Sequence, residues 1–331
     1  EGYDPAELYG IALRRYATVE ERAATPWSPP ADGIFHEHLD YSRKYAEQWA
    51  RRMMDVTHNY DPDFIYTDGT VEGPFTGTGT GTGYKCNAMQ TVMADYYNRT
   101  LRDRGEVNTF SIIKFRHPTN GAVNTAEFDF PDTINTSQPW IREAPVGDWF
   151  YAPGFIYDSG MMIRFIIEAI ARDGNAALNI CLMPDGSIEP DCVRMLREVG
   201  QWMALNGEGV YGSRAWTSLG EGQTDEKGRL RKLPGGGLGR RHADFEFSTA
   251  DIRYTVGKNG SLYAFCKTVP APGETIVLKT LGNGSHKIKD VFLPAIGQRA
   301  SWSLTGDGLK VTMPADMTWA HSAIMLKINL E

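Results

Sequence analysis

The sequence predicts an α/β fold over its first two thirds and a separate all-β domain at its end. Two observations carry this reading. Between residues 40 and 216, short apolar, β-branched runs alternate with segments of helical period, an order that yields parallel strands joined by crossover helices. Beyond residue 241 the runs ADIRYTV, SLYAFCK, TIVLKTL, KIKDVFL, LKVTM and SAIMLKI are short, alternating and separated by Gly, Asn or Pro turns, which is the pattern of an antiparallel β-sandwich of about six to eight strands. The expected domains are therefore 1–216, a Gly-rich linker at 217–240, and 241–331.

Each element has its own signal. Pro5 to Ala17 suggests one short helix before a Pro-rich loop. A helix is predicted over residues 40–59, with Asp40 as its cap and Tyr45, Trp49, Met53 and Val56 on the inner face. The run DFIYT at 63–67, between Pro62 and Asp68-Gly69, reads as a buried strand. A second helix spans 84–103, with Met89, Met93, Tyr96 and Leu101 inward and Gly105 ending it. TFSIIKF at 109–115 is a second strand, and residues 117–158 read as loop. A third helix covers 159–173 and stops at Gly174. AALNICLM at 176–183 reads as a buried strand that encloses the thiol of Cys181. A fourth helix has Pro190 in its first turn and ends at Gly207.

Composition removes several function classes. The chain has 331 residues and a net charge of −7, so no basic face suited to nucleic acid is expected. The basic stretch from Lys227 to Arg241 is interleaved with glycine and reads as a solvated linker. Four cysteines, Cys86, Cys181, Cys192 and Cys266, have neither metal-site spacing nor the density of a disulfide framework. No apolar run approaches the ~20 residues of a membrane span. His36 and His38 supply two metal ligands at most, and no GxSxG elbow is present. The Gly/Thr repeat FTGTGTGTG at 75–83 follows neither the phosphate-loop nor the dinucleotide pattern, and reads as a loop after a strand.

Asp68 directly follows a predicted strand, where a βα protein keeps its catalytic groups, although a carboxylate there can equally serve as a cap. Glycoside hydrolysis needs two carboxyls. The candidates after Asp68 are Glu72, Glu127, Asp129, Asp132, Glu143 and Asp148, and spacing alone does not choose among them.

Three stretches resemble glycoside hydrolase family 29, the α-L-fucosidases: NYDPDFIYTDG at 59–69, VNTAEFDF at 123–130, and DGNAALNICLMPDGSIEPDCVRMLREVGQWMALNGEGVYGSRAW at 173–216. The third is the longest and most specific. The resemblance implies a partial (β/α)8 TIM-like barrel followed by a C-terminal antiparallel β-sandwich, and retaining hydrolysis of terminal α-L-fucose from a fucosylated oligosaccharide or glycoconjugate. Under it Asp68 is the nucleophile and Glu127 the acid/base, whose carboxyl must be held protonated near neutral pH. Phe128 and Phe130 are candidates for an apolar wall beside Glu127. Arg116, and less specifically Lys114, stands near a sugar-contacting arginine. Trp149, in GDWFY, is a substrate-binding candidate, as is Tyr66, which replaces a family tryptophan. No metal or organic cofactor, no nucleic acid and no membrane partner is implied; a periplasmic or secreted location is favoured.

Besides Tyr66, the chain departs from the family in three places. Ile141 replaces an acidic residue after Trp140, Cys181 replaces a glycine, and about three βα units expected before residue 1 have no counterpart. Those units carry the histidines that grip fucose, so His36 and His38 are not given that role, and the chain alone is expected to be poorly stable and weakly active. The alternatives are a glycan-binding remnant of the same scaffold and a different retaining barrel glycosidase such as a galactosidase.

Overall fold

A computed structural model of the chain describes residues 18, 20, 39–67, 88–113, 121–126, 129–231, 246–282, 286–319 and 321–331. The chain divides into two units, 1–124 and 125–331.

In the first unit, helix α1 (Leu39–Tyr60) leads through Asp61, held at a positive φ of 43°, into strand β1 (Phe64–Thr67). Helix α2 (Ala88–Arg104) then leads to β2 (Phe110–Ile113) and β3 (Val123–Thr125). β1 pairs in parallel with β2, and β2 with β3, as strand–helix alternation requires. A small core of Ala50, Ile65, Ala88, Val92 and Tyr96 joins both helices to β1. Polar groups fix the corners: the Tyr96 hydroxyl donates to the Pro62 carbonyl at 2.6 Å, and Arg104 pairs with Asp61 and Asp63.

Three expectations are corrected here. Val56 and Leu101 are exposed: Ala50 and Thr57 lie on the buried face of α1, and α2 buries Met89, Met93 and Tyr96 as expected, with Val92 and Thr100 in place of Leu101. Asp40 lies inside α1 rather than capping it. Gly105 does terminate α2, at φ 78°, with its amide bonded to the Leu101 carbonyl.

In the second unit, β4 (Trp140–Pro145) pairs in parallel with β5 (Asn175–Asn179), with helix α3 (Ser159–Ile170) between them in sequence. Asp158 caps α3, accepting the Met161 amide at 2.7 Å. Helix α4 (Pro190–Asn206) follows. β4, like β3 before it, falls inside the stretch read as loop. Its sequence WIREAP carries two charges, which hid it from an apolar-run criterion, yet Arg142 and Glu143 are both buried.

The rest of the unit is antiparallel. Strands β6 (Arg214–Glu221), β7 (Ile252–Val256), β8 (Leu262–Cys266), β10 (Ile288–Leu293), β11 (Gln298–Arg299) and β14 (Ile324–Leu330) form one sheet in the order β11-β10-β14-β8-β7-β6. β9 (Thr275–Leu278), β12 (Ser301–Thr305) and β13 (Gly308–Thr312) form a second, in the order β12-β13-β9. Residues 217–221, read as the start of a linker, belong to β6, which pairs with β7. The central strands β7 and β8 of the larger sheet are buried on both sides. On β8, Leu262, Ala264 and Cys266 join the core shared with the second sheet, whereas Tyr263 and Phe265 join the core around α3 and α4. The period-2 alternation of a strand thus sorts its residues between two apolar cores.

Candidate functional site at the strand ends

Sugar-cleaving chemistry needs carboxyls and ring-contacting groups converging beyond strand ends, so the strand termini are the place to look. β1 ends at Thr67 and Asp68 is the next residue. β2 ends at Ile113, followed by Lys114 and Arg116. β3 ends at Thr125, two residues before Glu127. β4 ends at Pro145, shortly before Asp148 and Trp149, and β5 ends at Asn179, shortly before Cys181. Asp68, Lys114, Arg116, Glu127 and Trp149 therefore each follow, in sequence, the C-terminal end of a parallel strand, and Tyr66 is the penultimate residue of β1. Asp68, Lys114, Arg116, Glu127 and Phe128 lie outside the described residues, as do Glu72, His36 and His38.

Tyr66 alternates with the buried Ile65 and Thr67 and is 40% exposed. A tyrosine standing in water beside the end of β1 presents both an aromatic face and a hydroxyl.

The segment after β4 is built with more constraint. The Val146 amide donates to the Asn179 carbonyl at 3.1 Å, and the Tyr157 amide to Val146 at 2.8 Å, so the chain leaves β4 and returns alongside itself. Gly147 allows this: a β-carbon there would lie 2.0 Å from the Phe155 carbonyl oxygen. Trp149, two residues beyond Gly147, is 43% exposed. Its amide is bonded to Asp148 Oδ1 at 2.7 Å. Its carbonyl accepts from Asn179 Nδ2 at 3.1 Å and from Cys181 Sγ at 2.8 Å. Cys181 is thus half-buried and hydrogen-bonded rather than enclosed in a core, and β5 is itself half-exposed rather than buried. The Tyr157 hydroxyl finds no hydrogen-bond partner among the described residues, and burial, reinforced by the Asp148 charge, pushes it up to about 12.

Phe130 does not form part of an open wall. It packs on Phe165 at 5.4 Å, with the guanidiniums of Arg142 and Arg172 at 5.5 and 5.6 Å from its ring centroid. Glu143 sits mid-strand opposite Ala177, away from the end of β4.

Sequence reasoning missed a second charged group. Glu168 on α3, Arg172, Arg253 on β7 and Lys267 after β8 are all fully buried. Glu168 bonds Arg172, lies 2.5 Å from Lys267 Nζ and 3.2 Å from Arg253 Nη2. Burial raises and the three cations lower the Glu168 carboxyl, and the cations win. Burial drives Lys267 from its ordinary value down to about 7, against the pull of Glu168. No spacing rule in sequence unites residues 168, 172, 253 and 267.

The long signature at 173–216 is occupied with joints. Asp173, at φ 69°, binds Arg214 Nε at 2.7 Å and the Ala215 amide at 2.9 Å. Asn175 donates to the Trp140 carbonyl. Trp202 Nε1 donates to the Ala323 carbonyl at 2.9 Å. Glu208 accepts from Tyr263 at 2.9 Å and from Lys327. A cavity of about 630 Å³ adjoins Asp173, Arg214 and Tyr211, at the starts of β4 and β5, the end opposite Trp149. Among the described residues no three His, Cys, Asp or Glu side chains are grouped to hold a metal ion, and no helix is long and apolar enough to cross a membrane.

A family model described as alpha-L-fucosidase matches residues 10–208. An alpha-L-fucosidase of Dictyostelium discoideum is 23% identical over 274 residues, covering 81% of this chain and 50% of that protein. The tissue alpha-L-fucosidase of Rattus norvegicus is 27% identical over 193 residues, covering 56% of this chain and 38% of the relative. The chain thus spans about half, or less, of the length of the curated relatives it matches. The crystal structure of Thermotoga maritima alpha-fucosidase superposes with a TM-score of 0.62 at 18% identity, covering 86% of this chain and 57% of that one. An alpha-L-fucosidase from Bacteroides thetaiotaomicron superposes at 0.59 with 14% identity, covering 96% and 64%. At such identities the structural likeness is one of fold.

Proposed function

This chain belongs to the α-L-fucosidase family, and we propose on that footing that it carries the catalytic half-site of a retaining α-L-fucosidase, on a partial (β/α)8 barrel followed by a β-sandwich. The observation that carries the reading is positional. Asp68, Arg116, Glu127 and Trp149 each follow the C-terminal end of a parallel strand, where barrels keep their chemistry.

In the proposed reaction the Asp68 carboxylate attacks the anomeric carbon while the Glu127 carboxylic acid gives its proton to the departing glycosidic oxygen. The C–O bond to the aglycone breaks and a fucosyl ester on Asp68 forms. Glu127, now a carboxylate, takes a proton from water, whose oxygen displaces Asp68 and releases fucose with net retention. Arg116, Tyr66 and Trp149 hold the sugar. The substrate class is a terminal α-L-fucoside of a glycan.

The test is trapping. The full chain is incubated with an activated aryl α-L-fucoside, quenched in acid and analysed by peptide mass spectrometry. A fucosyl adduct on the peptide containing Asp68, absent in Asp68→Asn, supports the reading. Turnover undiminished in Asp68→Asn, or hydrolysis of an aryl α-galactoside but not of the fucoside, overturns it.

A further inference from the structure

The Trp149 peptide is held on both of its backbone polar groups by side chains. Asp148 Oδ1 takes its amide. Asn179 Nδ2 and Cys181 Sγ both reach its carbonyl, from the end of β5. The two donors also touch each other, Asn179 Nδ2 lying 3.5 Å from Cys181 Sγ, and Sγ lies 3.5 Å from the Asp148 carbonyl as well. Backbone pairing of Val146 with Asn179 ties the base of the same segment to β5. The residue so restrained carries an exposed indole, beside the 79% exposed Phe150. A loop-tip aromatic in water normally samples several rotamers, and fixing it costs about 0.5–1 kcal/mol or more of side-chain entropy at the moment a ligand binds. Anchoring the peptide beforehand reduces that cost.

We infer that Asn179 and Cys181 are positioning residues that clamp the Trp149 carbonyl and so present its indole in a fixed pose to the bound sugar. This rests on the fucosidase reading for the identity of the sugar, but the clamp itself is independent of turnover. Cys181 does no covalent chemistry in this role. Its thiol donates one hydrogen bond, which a serine hydroxyl reproduces and a valine of similar volume does not.

The experiment uses the full chain and the variants Cys181→Ser, Cys181→Val, Asn179→Leu and Trp149→Phe, with folding checked by thermal unfolding and Cys181→Ala substituted if the valine variant does not fold. The first readout is the heteronuclear NOE of the Trp149 indole Nε1–H, assigned by its disappearance in Trp149→Phe. The expected result is an ordered indole in the parent and in Cys181→Ser, and a disordered one in Cys181→Val and Asn179→Leu. The second readout is KM against kcat on an aryl α-L-fucoside. Loss of one hydrogen bond should raise KM by roughly 2- to 10-fold with kcat little changed, and Cys181→Ser should stay near the parent. An indole that remains ordered in Cys181→Val overturns the inference, even with KM raised, because Cys181 would then act on the sugar directly. A disordered indole with unchanged KM overturns the role in substrate binding. If no fucoside is turned over at all, the fucosidase reading fails on that result, and the NOE still decides the clamp.

Discussion

The Nζ of Lys267 lies 2.5 Å from Oε1 of Glu168, and neither side chain has any surface exposed to water. The pair joins the last turn of α3 to the end of β8, an interior strand of the larger antiparallel sheet, and two arginines, Arg172 and Arg253, share the same carboxylate. One anion thus serves three buried cations, which makes it the group that the surrounding structure can least do without.

Glu168→Gln should therefore destabilise the chain severely. Removing one member of a buried ionic cluster leaves uncompensated charge, at a cost of about 3–5 kcal/mol. Urea unfolding followed by tryptophan fluorescence measures this. A loss under about 1 kcal/mol would mean that water reaches the cluster.

Lys267 makes stability depend on pH in a definite direction. Its folded value is near 7, whereas the unfolded chain titrates near the ordinary 10.5. Between these values the unfolded state binds the extra proton, so the contribution of Lys267 rises as pH increases through that window and is least favourable below it. The urea midpoint of the parent should rise from pH 7 toward pH 9 relative to that of Lys267→Met. Parallel curves for the two proteins would refute this.

Gly174 is fixed by packing rather than by an unusual backbone angle. A β-carbon there would lie 2.3 Å from the Trp140 indole, which is itself buried, and the Gly174 amide bonds the Ala169 carbonyl at 3.0 Å. Gly174→Ala should cost about 1–3 kcal/mol through overpacking, read as a lowered melting temperature, whereas Gly186→Ala, with no atom within 4 Å but φ 85°, should lose a smaller amount attributable to strain.

On the proposed mechanism Glu127→Gln removes proton donation while leaving the nucleophile. The loss in kcat/KM should be about 10²–10⁴-fold for alkyl or sugar leaving groups and much smaller for a nitrophenyl fucoside, whose leaving group needs little protonation. An equal loss on both substrates would take Glu127 out of the acid role.

Trp149→Ala should raise KM for fucosides and leave the melting temperature within about 1 °C, because the indole is exposed and adds little to the core. A large loss of stability would make Trp149 a structural residue of the rim.

The sequence by itself determined the α/β-then-β order, the family, and the placing of Asp68 and Arg116 after strand ends, whereas the strands ahead of Glu127 and Trp149 emerged only in the structure. These follow from local periodicity, turn residues and one long signature, all of which are written in neighbouring positions. It misjudged what depends on distant partners. β4 was hidden because Arg142 and Glu143 look like loop residues until their burial is known. The run around Cys181 looked like core, yet it is half-exposed and its thiol holds the Trp149 carbonyl. Residues 217–221 looked like linker but belong to β6, whose Gly220 and Glu221 pair with β7. Only the tertiary structure brought Glu168, Arg172, Arg253 and Lys267 together, over as many as 99 positions of chain. A charge in sequence carries no mark of whether it faces water or a counter-ion, and that choice is made by packing, where desolvation must be balanced by partners supplied from elsewhere in the fold.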